Sequence, residues 1–468
     1  MKPSDHSGDN KKPQESRAVQ DEHGTVYQAT TKLSAGGQGS VWQTGFPNVL
    51  VKVSKFRRDH PQSAQWFEQV QRVKRLPLDG LKVARPQAMI VKPRHGYVME
   101  LMDGLEPLQT LLEAPIADGS LRTFIRTGGL SRRLRLLSAL AGTLADLHGR
   151  GLAYGDLSPG NIFVSRSVEH SEVWLIDCDN ITVLSRADSP PIYTPEYGAP
   201  EIVRGMSGID SLTDAWSFAV IAFQLLTLQH PLKGDLVNDG DEDEEQRAMR
   251  GELPWIDDPD DERNRASSGM YREWVLTSAL VDLFQRCFGP GRDNPQARPE
   301  MSEWRAACEL ALSALVSCGG SDCGSGFYLN DRRQCSFCDH VESSDRHVLL
   351  WHWMHTPVDE EDIAIGMNAL FRTDRFQVLN EDPVQLRSSP PGTAAYGQSE
   401  PMCTLTLSAE GLRIDPAPGM TVFLQTSRNR SLRQLKRREW FRSANRNGEV
   451  CMLHLGNTDT RHVWRFKW

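Results

Sequence analysis

The chain has 468 residues, 39% hydrophobic and 24% charged, with a formal net charge of −8, the composition of a soluble globular chain of roughly two to four domains. The negative balance argues against nucleic acid or an anionic membrane as the main partner. The longest apolar stretch, Ala215–Leu228, falls short of the ~20 residues a membrane helix needs, and no apolar signal core follows Met1, so a cytoplasmic protein with no membrane partner is expected.

From Met1 to Gly24 the chain is polar, lacks apolar periodicity and reads as a disordered tail. Residues 25–103 alternate strand-like runs with one helix. In LSAGGQGSVW (Leu33–Trp42), Ser34, Gly36, Gly37 and Gly39 precede Val41. Glycines let a backbone lie close to phosphates, although a plain hairpin explains them as well. Val49–Val53 embeds Lys52 in a β-branched run, where a charge needs a partner. A helix is predicted over Ser63–Lys74 and carries Glu68. Strands are predicted at Gln87–Val91 and Tyr97–Leu101, before a turn at Asp103-Gly104.

Pro107–Leu147 reads as helical, with Leu134, Leu137, Leu140, Leu144 and Leu147 forming a core-facing stripe. Gly151–Asn180 then reads GLAYGDLSPGNIFVSRSVEHSEVWLIDCDN. Asp156 and Asn161 lie between two short apolar runs, and Asp177 and Asp179 end the next. Carboxylates and an amide so placed suit Mg2+ and a phosphate, and a carboxylate can take the proton of a hydroxyl; either cluster alone would equally serve as a turn. The acidic stretch Asp235–Asp261 reads as a solvated loop, or as a docking surface for a basic partner. Helices follow at Glu273–Leu283 and Glu300–Leu315.

Cys318, Cys323, Cys335 and Cys338 come next, a C-x4-C pair and a C-x2-C pair. Their spacing suits a closed tetrahedral Zn2+ site, against unrelated thiols or a redox pair. Val341–Trp468 holds strand-like runs at His347–Trp353, Cys403–Leu407, Met420–Gln425, Val450–Leu455 and Val463–Trp468, the pattern of a compact β domain. Within it Arg428–Arg446 carries eight Lys/Arg, either a solvated segment or a surface for phosphopeptide, nucleic acid or the acidic insertion.

Taken in order, these motifs from about Thr25 to Leu315 resemble a eukaryotic-type protein kinase catalytic domain. The resemblance implies an α+β, bilobal kinase-like fold, with N-lobe 25–103, C-lobe 104–316, a zinc ribbon at 317–340 and a β-rich accessory domain at 341–468. It implies that Ser34, Gly36, Gly37, Gly39 and Val41 cover ATP, that Lys52 contacts its α/β-phosphates and pairs with Glu68, that Met99 is the gatekeeper, and that the backbone of Glu100 and Met102 holds the adenine. Asp156 is then the catalytic base, Asn161 and Asp177 hold Mg2+ or Mn2+, and Thr194 reaches Asp156. Tyr193–Glu201 resembles the end of an activation segment, Asp214–Phe218 the following buried helix, and Arg298 the partner of Glu201.

Several positions depart from that pattern. Ser34 replaces the first glycine, Tyr154-Gly155 replaces His-Arg, Ser158 replaces a lysine, and Asp179 replaces the glycine of the metal loop, implying a stiffer loop and an extra acid near the metals. The implied activity is ATP-dependent transfer to protein Ser/Thr hydroxyls; the alternatives are a small-molecule phosphotransferase of the aminoglycoside or choline type, which the Gly-Asp loop also resembles, and a pseudokinase scaffold. The zinc ribbon and loop style together resemble bacterial kinases encoded with a phosphatase and a von Willebrand-type protein in tellurite-resistance-like gene sets, which implies those two partners.

Overall fold

The structure, a computed structural model, describes residues 17–35, 38–118, 121–183, 193–329, 333–364, 368–380, 382–393 and 395–468. Gly36 and Gly37 therefore lie outside the described residues, as does most of the expected N-terminal tail. Among the described residues no helix is long and apolar enough to cross a membrane.

The first part is a closed antiparallel barrel. Its strands are β1 (Arg17–Asp21), β2 (Val26–Ala35), β3 (Gly39–Thr44), β4 (Val49–Ser54), β5 (Pro86–Lys92) and β6 (Gly96–Glu100), in the order β1-β2-β3-β4-β6-β5. Strand β1 corrects the expectation of a tail reaching Gly24. Its one inward apolar residue, Val19, is buried, and Asp21 accepts hydrogen bonds from the His23 and Thr25 N–H groups and the Tyr27 hydroxyl. A strand with a single apolar contact leaves too little periodicity to read.

Helix α1 (Pro61–Val73) packs against the barrel. It starts at His60, whose side chain accepts from the Gln62 N–H, with Pro61 at the first helical position. Its buried residues are Ser63, Trp66, Val70 and Val73, the i, i+3, i+7 and i+10 positions of one face.

The second part is helical. Helix α2 (Gly129–Gly149) buries the expected leucine stripe. Helix α3 (Ser211–Thr227) is apolar almost all round and sits at the centre, as such a helix must. Asp210 caps it, accepting from the Leu212 and Thr213 N–H groups at 2.9 Å each. Around it pack the rings of Trp216, Phe223, Trp255, Phe284, Phe288 and Trp304, at centroid separations of 4.9–5.8 Å along the chain of contacts. The acidic insertion is partly ordered, with a capping box at Asp241 opening a helix over Glu242–Met249 and Lys233 paired to Glu245 at 2.7 Å. Helix α4 (Met301–Ser313) packs along α2 and ends this part.

The four cysteines follow on a small hairpin, β7 (Leu315–Ser317) with β8 (Gly326–Tyr328). This hairpin is wedged between its neighbours. Phe337 meets Phe124 and Trp274 of the helical part, and the Tyr328 hydroxyl donates to the Val275 carbonyl at 3.2 Å. On its other side, Phe327, Cys323 and Cys335 share a small core with Val378 of the last domain.

That domain has a six-stranded and a four-stranded antiparallel sheet around one apolar core. The larger sheet runs β10 (Leu370–Leu379), β9 (Val348–His355), β13 (Arg461–Lys467), β12 (Val450–Leu455), β11 (Val422–Thr426), then Arg433–Gln434. The wedge makes a testable point about packing. Phe327→Ala, at a fully buried position, should cost about 3–5 kcal/mol, read as a fall in the urea midpoint of the full chain.

Candidate active site

Helix α2 delivers the chain to the short strand Leu152–Ala153 and then to the loop carrying Asp156 and Asn161. Strands Ile162–Ser165 and Val173–Leu175 pair antiparallel and return the chain to Asp177. Asp214 of α3 holds this loop from below. Its carboxylate accepts from the Tyr154 N–H at 2.7 Å, the Gly155 N–H at 2.9 Å and lies 3.0 Å from His148 Nε2. Two buried backbone donors are thereby satisfied.

Gly155 has φ +92°, and a Cβ there would meet Ile209 and the Asn180 carbonyl at 3.0–3.2 Å. Glycine is therefore required at the position where the family resemblance has arginine. Tyr154 is fully buried and its hydroxyl donates to the Ile176 carbonyl, tying the two acidic loops together.

The structure brings Asp156, Asn161, Asp177, Lys52 and Thr194 together. Asn161 Nδ2 donates to the Asp156 carbonyl at 2.9 Å and to its carboxylate at 3.3 Å, so Oδ1 is the Asn161 atom that could meet a cation. Thr194 Oγ1 donates to Asp156 Oδ1 at 2.7 Å. Burial raises the Asp156 carboxyl above its ordinary range, against the hydrogen bonds from Thr194 and Asn161. Asp177 sits in the left-handed region at φ 54°. Its Oδ2 is 3.2 Å from Lys52 Nζ, whereas its Oδ1 is buried without a partner among the described residues. A buried carboxylate oxygen left unsatisfied beside an asparagine oxygen fits a hard cation such as Mg2+.

Lys52 has a different partner from the expected one. Its ammonium lies 2.8 Å from Asp179 Oδ2, and both side chains are almost wholly buried. Asp179 also accepts from Trp66 Nε1 at 2.7 Å and the Tyr97 hydroxyl at 2.8 Å, and its backbone carbonyl accepts from Gln69 at 3.3 Å. Burial alone would raise the Asp179 carboxyl; the Lys52 charge and these donors outweigh it and hold it below the usual range. The expected Glu68–Lys52 pair is corrected: Glu68 is exposed. It stands two residues from both Trp66 and Val70, so it faces away from the side of α1 that meets the site. The expectation of an extra acid at the metals is corrected too, because both Asp179 oxygens are committed to Lys52, Trp66 and Tyr97.

Of the residues expected to cover ATP, Gly36 and Gly37 lie outside the described residues. Ser34 pairs with Val41 in the β2–β3 ladder. A Cβ on Gly39 would stand 2.5 Å from the Val53 carbonyl, so glycine there also serves strand packing. Val41 and Met99 are buried in one cluster with Trp66 and Ile176, while Glu100 ends β6 and Met102 lies exposed beyond it.

The segment after Thr194 is held at three points. Ser217 donates to the Tyr197 carbonyl at 2.7 Å. Arg298 grips Glu201 through two bonds of 2.7 Å and stacks over Trp216 at 5.0 Å. His230 lies 3.1 Å from the Glu196 carbonyl while its Nδ1 is 3.2 Å from the Leu232 N–H. A neutral ring satisfies both, donating from Nε2 and accepting at Nδ1. His230 and this arrangement were absent from the sequence reading; a lone histidine before proline gave no signal.

Apart from this centre, the thiols of Cys318, Cys323, Cys335 and Cys338 all lie within 4.8 Å of one another. Tetrahedral Zn–S bonds of about 2.3 Å put sulfurs about 3.8 Å apart, and Cys318–Cys338 and Cys323–Cys335 stand at 3.5 and 3.8 Å. The Gly320 and Phe337 N–H groups point at Cys318 and Cys335 sulfur. The donor set fits zinc.

Two outcomes test this geometry. Asp179→Ala removes the committed partner of a buried ammonium and should destabilise the chain by about 3–5 kcal/mol, while Glu68→Gln should change stability by less than about 0.5 kcal/mol; urea unfolding of both variants checks it. Burial pulls the His230 imidazole down to about 4, so the folded chain favours the neutral ring. Its contribution is complete above pH about 6.5 and is lost as pH falls toward 4, on the order of 3 kcal/mol. His230→Gln should flatten that part of the stability–pH curve.

Comparison with known proteins gives the family. A family model described as protein kinase domain matches residues 27–306. The chain is 28% identical over 227 residues to serine/threonine-protein kinase pkn2 of Myxococcus xanthus, covering 47% of this chain and 24% of that protein. It is 28% identical over 220 residues to Pkn1 of the same organism, covering 45% and 30%, and 37% identical over 118 residues to protein kinase C delta type of Homo sapiens, covering 24% and 16%. The matches thus span less than a third of the length of each of these relatives. Since the matched model covers more than half of the sequence, and its α+β lobes are those seen here, the chain belongs to the protein kinase domain family.

Proposed function

We propose that the chain is an ATP- and Mg2+-dependent protein kinase that transfers the γ-phosphoryl group to Ser/Thr hydroxyls. The observation that carries this reading is the 2.7 Å hydrogen bond from the Thr194 hydroxyl to Asp156, which marks where an acceptor hydroxyl can reach that carboxylate. The clamps on Tyr197, Glu196 and Glu201 support a shelf for a peptide beside it. The relatives, two of them named serine/threonine-protein kinases, point the same way.

In this reading Asp156 orients the acceptor and takes its proton, and its burial makes it a better base than an exposed aspartate. Lys52, fixed by Asp179, holds the α/β-phosphates, with Ser34, Gly36, Gly37, Gly39 and Val41 over them and the backbone of Glu100 and Met102 at the adenine. Asn161 and Asp177 would hold Mg2+ or Mn2+, which supplies charge neutralisation of the phosphate oxygens. Cys318, Cys323, Cys335 and Cys338 would hold a structural Zn2+. A phosphatase and a von Willebrand-type protein as partners remain part of the proposal on the resemblance of the cysteine hairpin and the Gly-Asp loop, and a cytoplasmic location on the apolar pattern of the sequence.

Mass spectrometry after incubation with ATP and Mg2+ tests the activity. Phosphate should appear on Ser or Thr of the chain itself or of a generic basic protein, and Asp156→Asn should lower the rate by about 10²–10⁴-fold. Transfer to small metabolites alone, or an unimpaired variant, overturns it. Gly155 leaves no arginine to grip an activation-segment phosphate, so phosphatase treatment should leave the rate unchanged. Metal analysis should find one zinc per chain, lost on Cys335→Ser with Cys338→Ser.

A further inference from the structure

The acidic balance of the chain hides a strong segregation of charge. From Arg428 to Trp468 there are eleven Lys/Arg and three Asp/Glu. Neither the phosphate site nor the cysteine hairpin uses them.

Part of this charge faces one surface of the larger sheet. Side chains alternate along β9, so Val348, Leu350 and His352 point into the core while Trp351 and Trp353 stand half-buried on the other face. Arg465 pairs in register with Trp351, but its guanidinium lies over the Trp353 ring at 5.3 Å. Arg372 pairs in register with Trp353, but lies over the Trp351 ring at 3.8 Å. An irregularity in the β9–β10 register between these pairs makes the diagonal reach possible. Among the described residues neither Arg372 nor Arg465 forms an ion pair or hydrogen bond, so their charges are uncompensated there.

These four side chains line a cavity of about 400 Å3 together with Arg333, Lys467 and His347. His347 is 3% exposed, and among the described residues its Nδ1 has no hydrogen-bond partner. A second cavity of about 480 Å3 shares the Arg446 side chain with the first. Its walls carry Arg428, Arg442 and Trp440, while Trp468, 3% exposed, belongs to the domain core beneath the Arg446 guanidinium at 4.9 Å. Across both cavities the lining holds seven Lys/Arg and one carboxylate, Glu449.

We propose that this track binds single-stranded nucleic acid. Cations that follow a groove suit a phosphate backbone, and interleaved indole rings suit bases, which stack on aromatic side chains whatever their identity. Two cavities that share a cation suit several nucleotides of a strand better than one free nucleotide. An acidic or phosphorylated peptide would use the cations but has no use for the rings of Trp351, Trp353 and Trp440.

The test uses the full chain with saturating ATP, so that the nucleotide site is occupied. A labelled twelve-nucleotide oligothymidylate is titrated at 50 and 200 mM salt, by anisotropy and by tryptophan fluorescence. Binding with quenched tryptophan emission and a steep loss with salt is expected. Trp351→Ala should weaken it about five- to hundredfold, the factor one lost stack is worth, Trp351→Phe should retain most of it, and the exposed Lys467→Glu should weaken it and reduce the salt slope. No binding at 50 mM salt overturns the proposal. So does equal affinity for thymidine monophosphate or for a phosphorylated or polyglutamate peptide of matched charge, or affinity indifferent to both Trp351→Ala and Lys467→Glu.

Discussion

The catalytic centre depends on a buried ion pair between Lys52 and Asp179. Two charges withdrawn from water are tolerated only when their remaining hydrogen-bonding capacity is met. Here Trp66 and Tyr97 meet that of the aspartate, and Asp177 provides the second contact to the lysine. The pair joins β4 to the metal loop directly. Helix α1 enters it through an indole N–H and an amide, neutral donors, and not through a carboxylate. The placement of Lys52 is thus set chiefly by the loop that also carries Asp177, so the lysine charge and the Asp177 carboxylate are held in one unit.

The same economy recurs below the site. Asp214 holds two successive backbone N–H groups, Tyr154 bridges the two acidic loops, and Gly155 is tied to its close approach to Ile209 and Asn180. The departures from the usual catalytic-loop sequence are therefore a coupled set. A buried tyrosine and a left-handed glycine occupy the space in which a charged side chain would have to be accommodated.

Much of this was legible locally. A lysine inside a β-branched run demanded a partner, the spacing of Asp156, Asn161 and Asp177 singled out three residues that the fold brings together, and the four cysteines are close in sequence. What was missed lay in phase and distance. Glu68 was chosen by its type, although the period of Ser63, Trp66, Val70 and Val73 already placed it on the other face of the helix. Asp179 finds its partners 82 to 127 positions away, which no spacing rule reaches. The last domain's strands could be read from their apolar runs, but the Trp–Arg face exists only through register and its irregularity.

The wedged cysteine hairpin bears on how the parts of the chain assemble. A segment this short buries too little apolar surface to fold by itself, and its core borrows Val378 from one neighbour while Phe337 inserts among rings of the other. The free energy of ion capture by its thiols would thus be linked to the docking of both neighbours. Affinity for an ion there would then report on interdomain closure: strain applied to either junction would weaken ion capture, and removal of the ion would loosen the hairpin's share of the contact between the last domain and the helical lobe, leaving the direct contacts of Met301–Ser313 with Leu370–Leu379.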